Sequence, residues 1–257
     1  MSVQLAPEHK VGLILRHPLL VANCTPELLA LCDRAVLGAV VAPEVGGRGR
    51  VARRLAERPG GLVLEEARGA FSLNGLRELL RVAGDLPVIG QVRGADPGGA
   101  AQAARRLEGE GMSAIQLNLL PGDPELAEEV ILAIRAACDL PLLAQVPLLE
   151  AVRYAEACDA VHADALVVAG PPRGLAVFDD PRAPRTVEVH GPLLQPLVLL
   201  ALAQVAQAVS LPLVARGGLL TLADAQAFLA QGAAAVMADS LATVEPGAVA
   251  EIGRRIE

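Results

Sequence analysis

The chain has 257 residues, of which 53% are hydrophobic and only 2% aromatic, and its 22 basic and 29 acidic residues give a net charge of −7. That charge disfavours nucleic acid or an anionic membrane as a partner. No apolar run reaches the roughly 20 residues of a membrane helix, and the N-terminus lacks a signal peptide's basic and apolar regions, so a soluble cytoplasmic protein is expected.

Two short apolar runs open the series, LLVAN at 19–23 and GAVVAP at 38–43. One phrase then recurs three times, as LPVIGQV at 86–92, LPLLAQV at 140–146 and LPLVARG at 211–217. Each copy follows a stretch of helical spacing and a polar break at Asp85, Asp139 or Ser210, and each is too short and apolar for a surface helix. AIQLNL at 114–119, ALVVAG at 165–170 and AAVMAD at 234–239 lie between or after them. Together these make eight predicted strands.

Strands apolar on both faces that alternate with helices imply a parallel sheet covered by helices. Eight such units need about 250 residues when closed into a barrel. The expected architecture is therefore α/β, a single TIM (β/α)8 barrel over residues 1–257. An open doubly wound sheet is the rival, but no Gly-x-Gly-x-x-Gly follows the first strand. With so few aromatics, the interior must be filled by Leu, Val, Ala and Ile.

Cys24, Cys32, Cys138 and Cys158 show neither Cys-x-x-Cys spacing nor the density of a secreted scaffold, so reduced thiols are expected. Cys32, Cys138 and Cys158 fall on helices or their ends as small buried hydrophobes. Cys24 sits at the end of a strand. The sequence offers no metal-ligand pattern.

Active sites in this fold lie at the C-terminal ends of the strands. Those positions carry Asn23 and Cys24, Pro43 and Glu44, Gln91 and Arg93, Asn118, Gln145, Gly170, Gly217 with Gly218, and Asp239 with Ser240. Asn118 and Gln145 interrupt apolar strands, and a buried amide is costly unless paired, so they either bond nearby backbone or bind a planar hydrogen-bonding ligand. Gly217 and Gly218 before a helix suggest an anion site, although a tight strand-to-helix turn also favours Gly. Glu44 with Arg48, Arg50, Arg53 and Arg54 forms a charged segment, read either as an anion or partner site or as a loop leading into a solvated helix.

The order of elements carries a resemblance. Residues 191–240, GPLLQPLVLLALAQVAQAVSLPLVARGGLLTLADAQAFLAQGAAAVMADS, are similar to the C-terminal part of the dihydroorotate dehydrogenases, with their Gly-Pro-x-x-Lys-Pro and Gly-Gly-Ile signatures. Upstream, ALVVAGPPRGLAVF, AIQLNL, FSLNGL and HPLLVAN extend the similarity over nearly the whole chain. The nearest class is the one with an iron-sulfur and FAD partner subunit. The resemblance implies an FMN-dependent barrel that oxidises dihydroorotate to orotate in pyrimidine biosynthesis, working with an electron-transfer subunit or as a homo-oligomer. It places FMN at Asn23, Gln145, Gly191, Gly217, Gly218, Asp239 and Ser240, and the pyrimidine at Asn118 and Asn74.

The departures from the family pattern fall on these same positions. Where the family has Ser-Cys-Pro-Asn, with Cys as general base, this chain reads Leu119-Leu120-Pro121-Gly122-Asp123. Pro43 and Gln145 replace two lysines, Gly170 an asparagine, Gln195 a lysine, and Asp239-Ser240 a Gly-Thr. A carboxylate ~5 Å from a phosphate costs about 3 kcal/mol per unit charge at an effective dielectric near 20, which Arg216 or Arg173 could offset. His190 and Cys24 are the candidate substitutes for the missing base. The expected function is a dihydroorotate dehydrogenase-like flavin oxidoreductase with a degenerate site, and the alternative is a barrel that has lost FMN and serves as a binding or structural subunit.

Overall fold

The computed structural model describes residues 2–46, 55–58, 61–65 and 71–256. Eight strands close a barrel: β1 (Leu19–Val21), β2 (Ala39–Val41), β3 (Val88–Gly94), β4 (Ala114–Leu119), β5 (Leu142–Val146), β6 (Ala165–Val168), β7 (Leu213–Arg216) and β8 (Ala235–Ala238). Neighbours pair in chain order, every pair is parallel, and β8 returns to β1 through Val236 opposite Leu19. The eight strands read from the sequence are these eight.

Alternation along each strand separates two cores. Leu20, Val41, Ile89, Leu143, Val167, Val214 and Met237 fill the interior together with Ala39, Ala114, Ala165 and Ala235. The opposite faces, including Val21, Val40, Ile115, Leu117, Leu142, Leu166 and Val236, pack under the helices. A two-stranded hairpin, Val3–Gln4 against Ile14–Leu15, adds Leu5, Leu13 and Leu15 to the interior and seals its N-terminal end. The mouth at the C-terminal end is left as the open one.

The helices are α1 (Pro26–Leu31), α2 (Leu73–Ala83), α3 (Pro97–Gly109), α4 (Pro124–Ala137), α5 (Ala151–Ala160), α6 (Gln195–Ala208), α7 (Leu222–Ala230), α8 (Ser240–Val244) and α9 (Pro246–Arg255). Thr25, Ser72, Asp96, Asp123 and Thr221 each accept a backbone N–H at the start of a helix, and Pro stands at the beginning of α1, α3 and α4. The chain therefore turns sharply from strand end to helix start. Among the described residues no helix is long and apolar enough to cross a membrane.

The loops after β2 and β6 hold what the sequence reading missed. Leu55–Arg58, Gly61–Glu65, Arg173–Ala176 and Arg185–His190 form a four-stranded antiparallel sheet. The charged segment read either as an anion or partner site or as a loop leading into a solvated helix has Arg48, Arg50, Arg53 and Arg54 outside the described residues, and the next described residues, Leu55–Arg58, are a strand. Residues from the loops after β2 and β6 pair as His190 with Leu62 and Glu188 with Leu64. This pairing carries Glu188 and Arg173 to the rim of the mouth.

Candidate active site at the mouth of the barrel

The inward faces of β3, β4, β5 and β7 turn polar as they near their C-terminal ends. Two residues beyond Ile89 comes Gln91, and two beyond Ala114 come Gln116 and then Asn118. Gln145 follows Leu143, and Arg216 follows Val214. All lie on one face by the period of two, above the apolar interior. Gln91, Gln116, Gln145 and Arg216 are buried, Gln116 completely.

These groups bond one another in an unbroken line. Gln91 Nε2 donates to Asn23 Oδ1 at 3.1 Å, and Asn118 Nδ2 donates to Gln91 Oε1 at 2.7 Å. Gln116 Nε2 donates to Asn118 Oδ1 at 2.8 Å and to Gln145 Oε1 at 3.2 Å. Arg216 Nη1 also donates to Gln145 Oε1. The other edge of the guanidinium, Nε and Nη2, donates to Asp239 Oδ2 at 3.0 and 2.8 Å. Asp239 in turn lies 3.5 Å from His190 Nδ1, and Glu188 lies 3.5 Å from His190 Nε2. A network of this kind is stiff, because breaking a link leaves a further buried polar group unpaired, beyond Gln116 Oε1 and His190 Nε2, which make no hydrogen bond among the described residues.

Above the line lies a cavity of about 240 Å³. Asn23, Gln91, Asn118, Gln145 and Arg216 line it, with Phe71, Leu120, Pro121, Leu148 and Leu149 as apolar wall and Glu44, Arg93, Glu188 and Arg173 as charged rim. A second pocket, beside Gly191, Gly217, Gly218, His190, Asp239 and Ser240, measures about 10 Å³, room for about one water.

Asn23, Asn118 and Gln145 thus reach the cavity, while Gly191, Gly217, Gly218, Asp239, Ser240 and His190 gather at the small pocket. Two expected residues sit elsewhere. Asn74 is exposed in the first turn of α2, because the inward face of that helix is taken by Leu76, Leu79 and Ala83. Cys24 packs in the core beneath the helices, its thiol directed at Thr25 O at 3.7 Å. Burial, with a smaller contribution from Cys32, pushes that thiol up to about 12. It is a poor proton acceptor at neutral pH.

Sequence reasoning did not single out Gln116 or Glu188. Gln116 was legible as the residue two before Asn118 in AIQLNL, and Glu188 lies in the alternating TVEVH. Geometry also couples two departures from the family pattern. A Cβ at Gly170 would lie 2.3 Å from Gln145 Nε2, so Gln145 fills the space that a side chain at 170 would need. A Cβ at Gly218 would lie 2.3 Å from the backbone N of Gln195, at φ +75°. Gly218 is therefore required by close packing whether or not an anion binds.

The barrel with a polar, ligand-sized mouth is of the kind found in FMN-dependent oxidoreductases. The nitronate monooxygenase family profile matches residues 133–252. The catalytic subunit of dihydroorotate dehydrogenase B (NAD(+)) from Desulforudis audaxviator is 30% identical over 96% of this chain and 89% of its own length. The corresponding subunit from Trichlorobacter lovleyi is 28% identical over 100% and 92%. A crystal structure of dihydroorotate dehydrogenase from Eimeria tenella in complex with ferulenol superposes with a TM-score of 0.69, at 14% identity, over 98% of this chain and 82% of that one, which speaks to the fold alone. The chain belongs to the dihydroorotate dehydrogenase family.

FMN is the cofactor of this family. The ring end of the mouth fits it, since a row of amide donors and acceptors faces an apolar wall across a cavity of about 240 Å³. The small pocket, where the resemblance implies the phosphate, is tighter. Asp239 already holds Arg216 there, and the pocket, of about 10 Å³, would have to widen to take a phosphate.

Proposed function

We propose that this protein is a flavin-dependent oxidoreductase of the dihydroorotate dehydrogenase type that binds FMN across the mouth and oxidises dihydroorotate slowly. The observation that carries this reading is the amide line Asn23–Gln91–Asn118–Gln116–Gln145 beneath a cavity of about 240 Å³. When bound, FMN supplies the hydride acceptor, and the chain's residues hold and orient. Beyond the bonds they make to their neighbours, the Asn118 and Gln91 amides each keep a second N–H and a second lone pair, suited to a cyclic amide, and the apolar wall excludes water from the reacting face.

The proton is the weak point. After Asn118 the chain offers Leu119, Leu120 and Pro121 to the cavity, none of which accepts a proton. Cys24 lies outside it, and His190 faces the small pocket. The carboxylates on the cavity are Glu44, Glu150 and Glu188, and Glu44 is held 3.3 Å from Arg93. A positioned base contributes about 10² to 10⁴ in rate. Stopped-flow reduction of the FMN-reconstituted protein by dihydroorotate should therefore run well below the 1 to 10³ per second that is roughly ordinary for an enzyme. Reduction within that range would show that one of these carboxylates, or His190, takes the proton efficiently.

The closed phosphate end favours a second reading, a barrel that no longer holds flavin and acts as a binding or structural subunit. Flavin absorbance in the purified protein separates the two. The relatives named above are catalytic subunits, so we also infer electron transfer to a partner subunit, with a homo-oligomer as the alternative.

A further inference from the structure

Arg216 is the one buried arginine or lysine among the described residues, at 3% exposure. A cation is costly to bury, and this one is held on both edges, by Asp239 of the β8 end and by Gln145 of β5. Arg216 and Gln145 both line the cavity. Gln145 stands where the family pattern has a lysine, and it extends across β6 into the space left by Gly170 to meet the guanidinium. The ammonium missing from strand five is thus replaced, at contact distance, by a guanidinium from strand seven.

We propose that Arg216 supplies the positive charge of the flavin site, transposed from β5 to β7, with Gln145 aiming it at the cavity and Asp239 attenuating it. The inference rests on the flavin reading above. A guanidinium keeps its charge at any working pH. A cation at the mouth favours the reduced, anionic ring. Because Asp239 binds the far edge, the pair presents a dipole whose positive end, Nη1, is turned to Gln145. Its effect should be weaker than that of a lone lysine and should grow when Asp239 is neutralised. Arg173 and Arg93 on the rim belong to other elements and stay constant in the comparison.

The test uses FMN-reconstituted protein and two readouts independent of turnover: affinity of the bound flavin for sulfite, which adds to the ring and leaves it anionic, and the two-electron midpoint potential. Arg216→Gln should weaken sulfite binding at least tenfold and lower the potential by about 30 mV or more, the equivalent of a tenfold change for two electrons. Arg216→Lys should retain most of both, and Asp239→Asn should raise both. The double variant Arg216→Gln with Gln145→Lys should restore both by returning the cation to β5, a result that a merely structural role for Arg216 does not produce. If Arg216→Gln fails to fold because Asp239 is left unpaired, Arg216→Gln with Asp239→Asn is compared with Asp239→Asn alone, and the same tenfold loss is expected. Unchanged sulfite affinity in either comparison, or a folded double variant that holds FMN and is not restored, overturns the proposal while leaving the flavin reading intact. Absence of FMN binding by the natural protein overturns the flavin reading, and this inference with it.

Discussion

At Asp239 two demands compete for one guanidinium. The carboxylate stabilises the buried Arg216, yet it occupies the end of the mouth to which the proposed flavin reading assigns the phosphate. Asp239→Gly should tighten FMN binding at least tenfold, because a repulsion of order 3 kcal/mol at ~5 Å is removed and Arg216 becomes available. The same change should lower the stability of the ligand-free protein by about 3–5 kcal/mol, since a buried charge loses its partner. Flavin-fluorescence titration and thermal unfolding measure the two sides. Tight binding by the natural protein that weakens on substitution would contradict the argument. The cysteines test burial more simply: Cys24 and Cys158 are both pushed up to about 12 by burial, Cys138 is buried, and Cys32 is partly exposed. Alkylation of the native protein, mapped by mass spectrometry, should label Cys32 first and leave Cys24 and Cys158 unlabelled until unfolding.

At the scale of elements, strand ends and helix starts meet with little slack. Gly218 lies between the end of β7 and the first residue of α6, at a φ of +75° and with Gln195 backbone in the place of a side chain. Gly218→Ala must move backbone, and a cost of about 1–3 kcal/mol is expected. For a chain of this size that is a fall in Tm of roughly 2–12 °C. At Gly170 the obstacle is the amide end of Gln145, a flexible group. Gly170→Ala should therefore cost less stability but turn Gln145 away from Gln116 and Arg216, weakening flavin binding more than folding. Finding the larger Tm loss at Gly170 would show that the Gln145 network, more than the β7–α6 junction, holds the mouth. The outer sheet is the element that periodicity could have revealed, since Arg185–His190 alternates, but its partner Gly61–Glu65 is more than a hundred residues distant and no local pattern specifies the pairing.

Over the whole molecule, exposed ion pairs tie helices and loops: Lys10 to Asp139, Arg16 to Asp85, Arg77 to Glu110 and Arg254 to Asp33. Hydrogen bonds from these cations are the largest cause holding the four carboxyls below their ordinary values. A carboxyl lowered on folding adds stability that is complete above its unfolded value, about 4, and is lost as pH falls through its folded value. The contribution of these four pairs to thermal stability should therefore be level from pH 7 to about 5 and decline below about 4, with a shallower decline in high salt. An unchanged Tm at pH 3 would mean that these pairs contribute nothing, as exposed pairs sometimes do.

The number, order and parallel pairing of the barrel strands were determined by local signals, because a run apolar on both faces can be buried only between a sheet interior and a helix layer. The amides at Asn118 and Gln145 were visible for the same reason, as polar interruptions where burial makes polarity costly. The family resemblance was carried by motif order, and it also located the departures from the family pattern after Asn118 and at Pro43 and Gln145. Only the tertiary structure decided which of those residues face one another. Asn74 turns outward because three apolar residues of its helix claim the inside, and Cys24 falls on the helix side of its strand. Arg216 meets Gln145 across an intervening strand, through the space left by Gly170, 71 positions apart in the chain. Such contacts depend on barrel closure, which brings side chains together by register and facing direction, and neither can be read from any one segment.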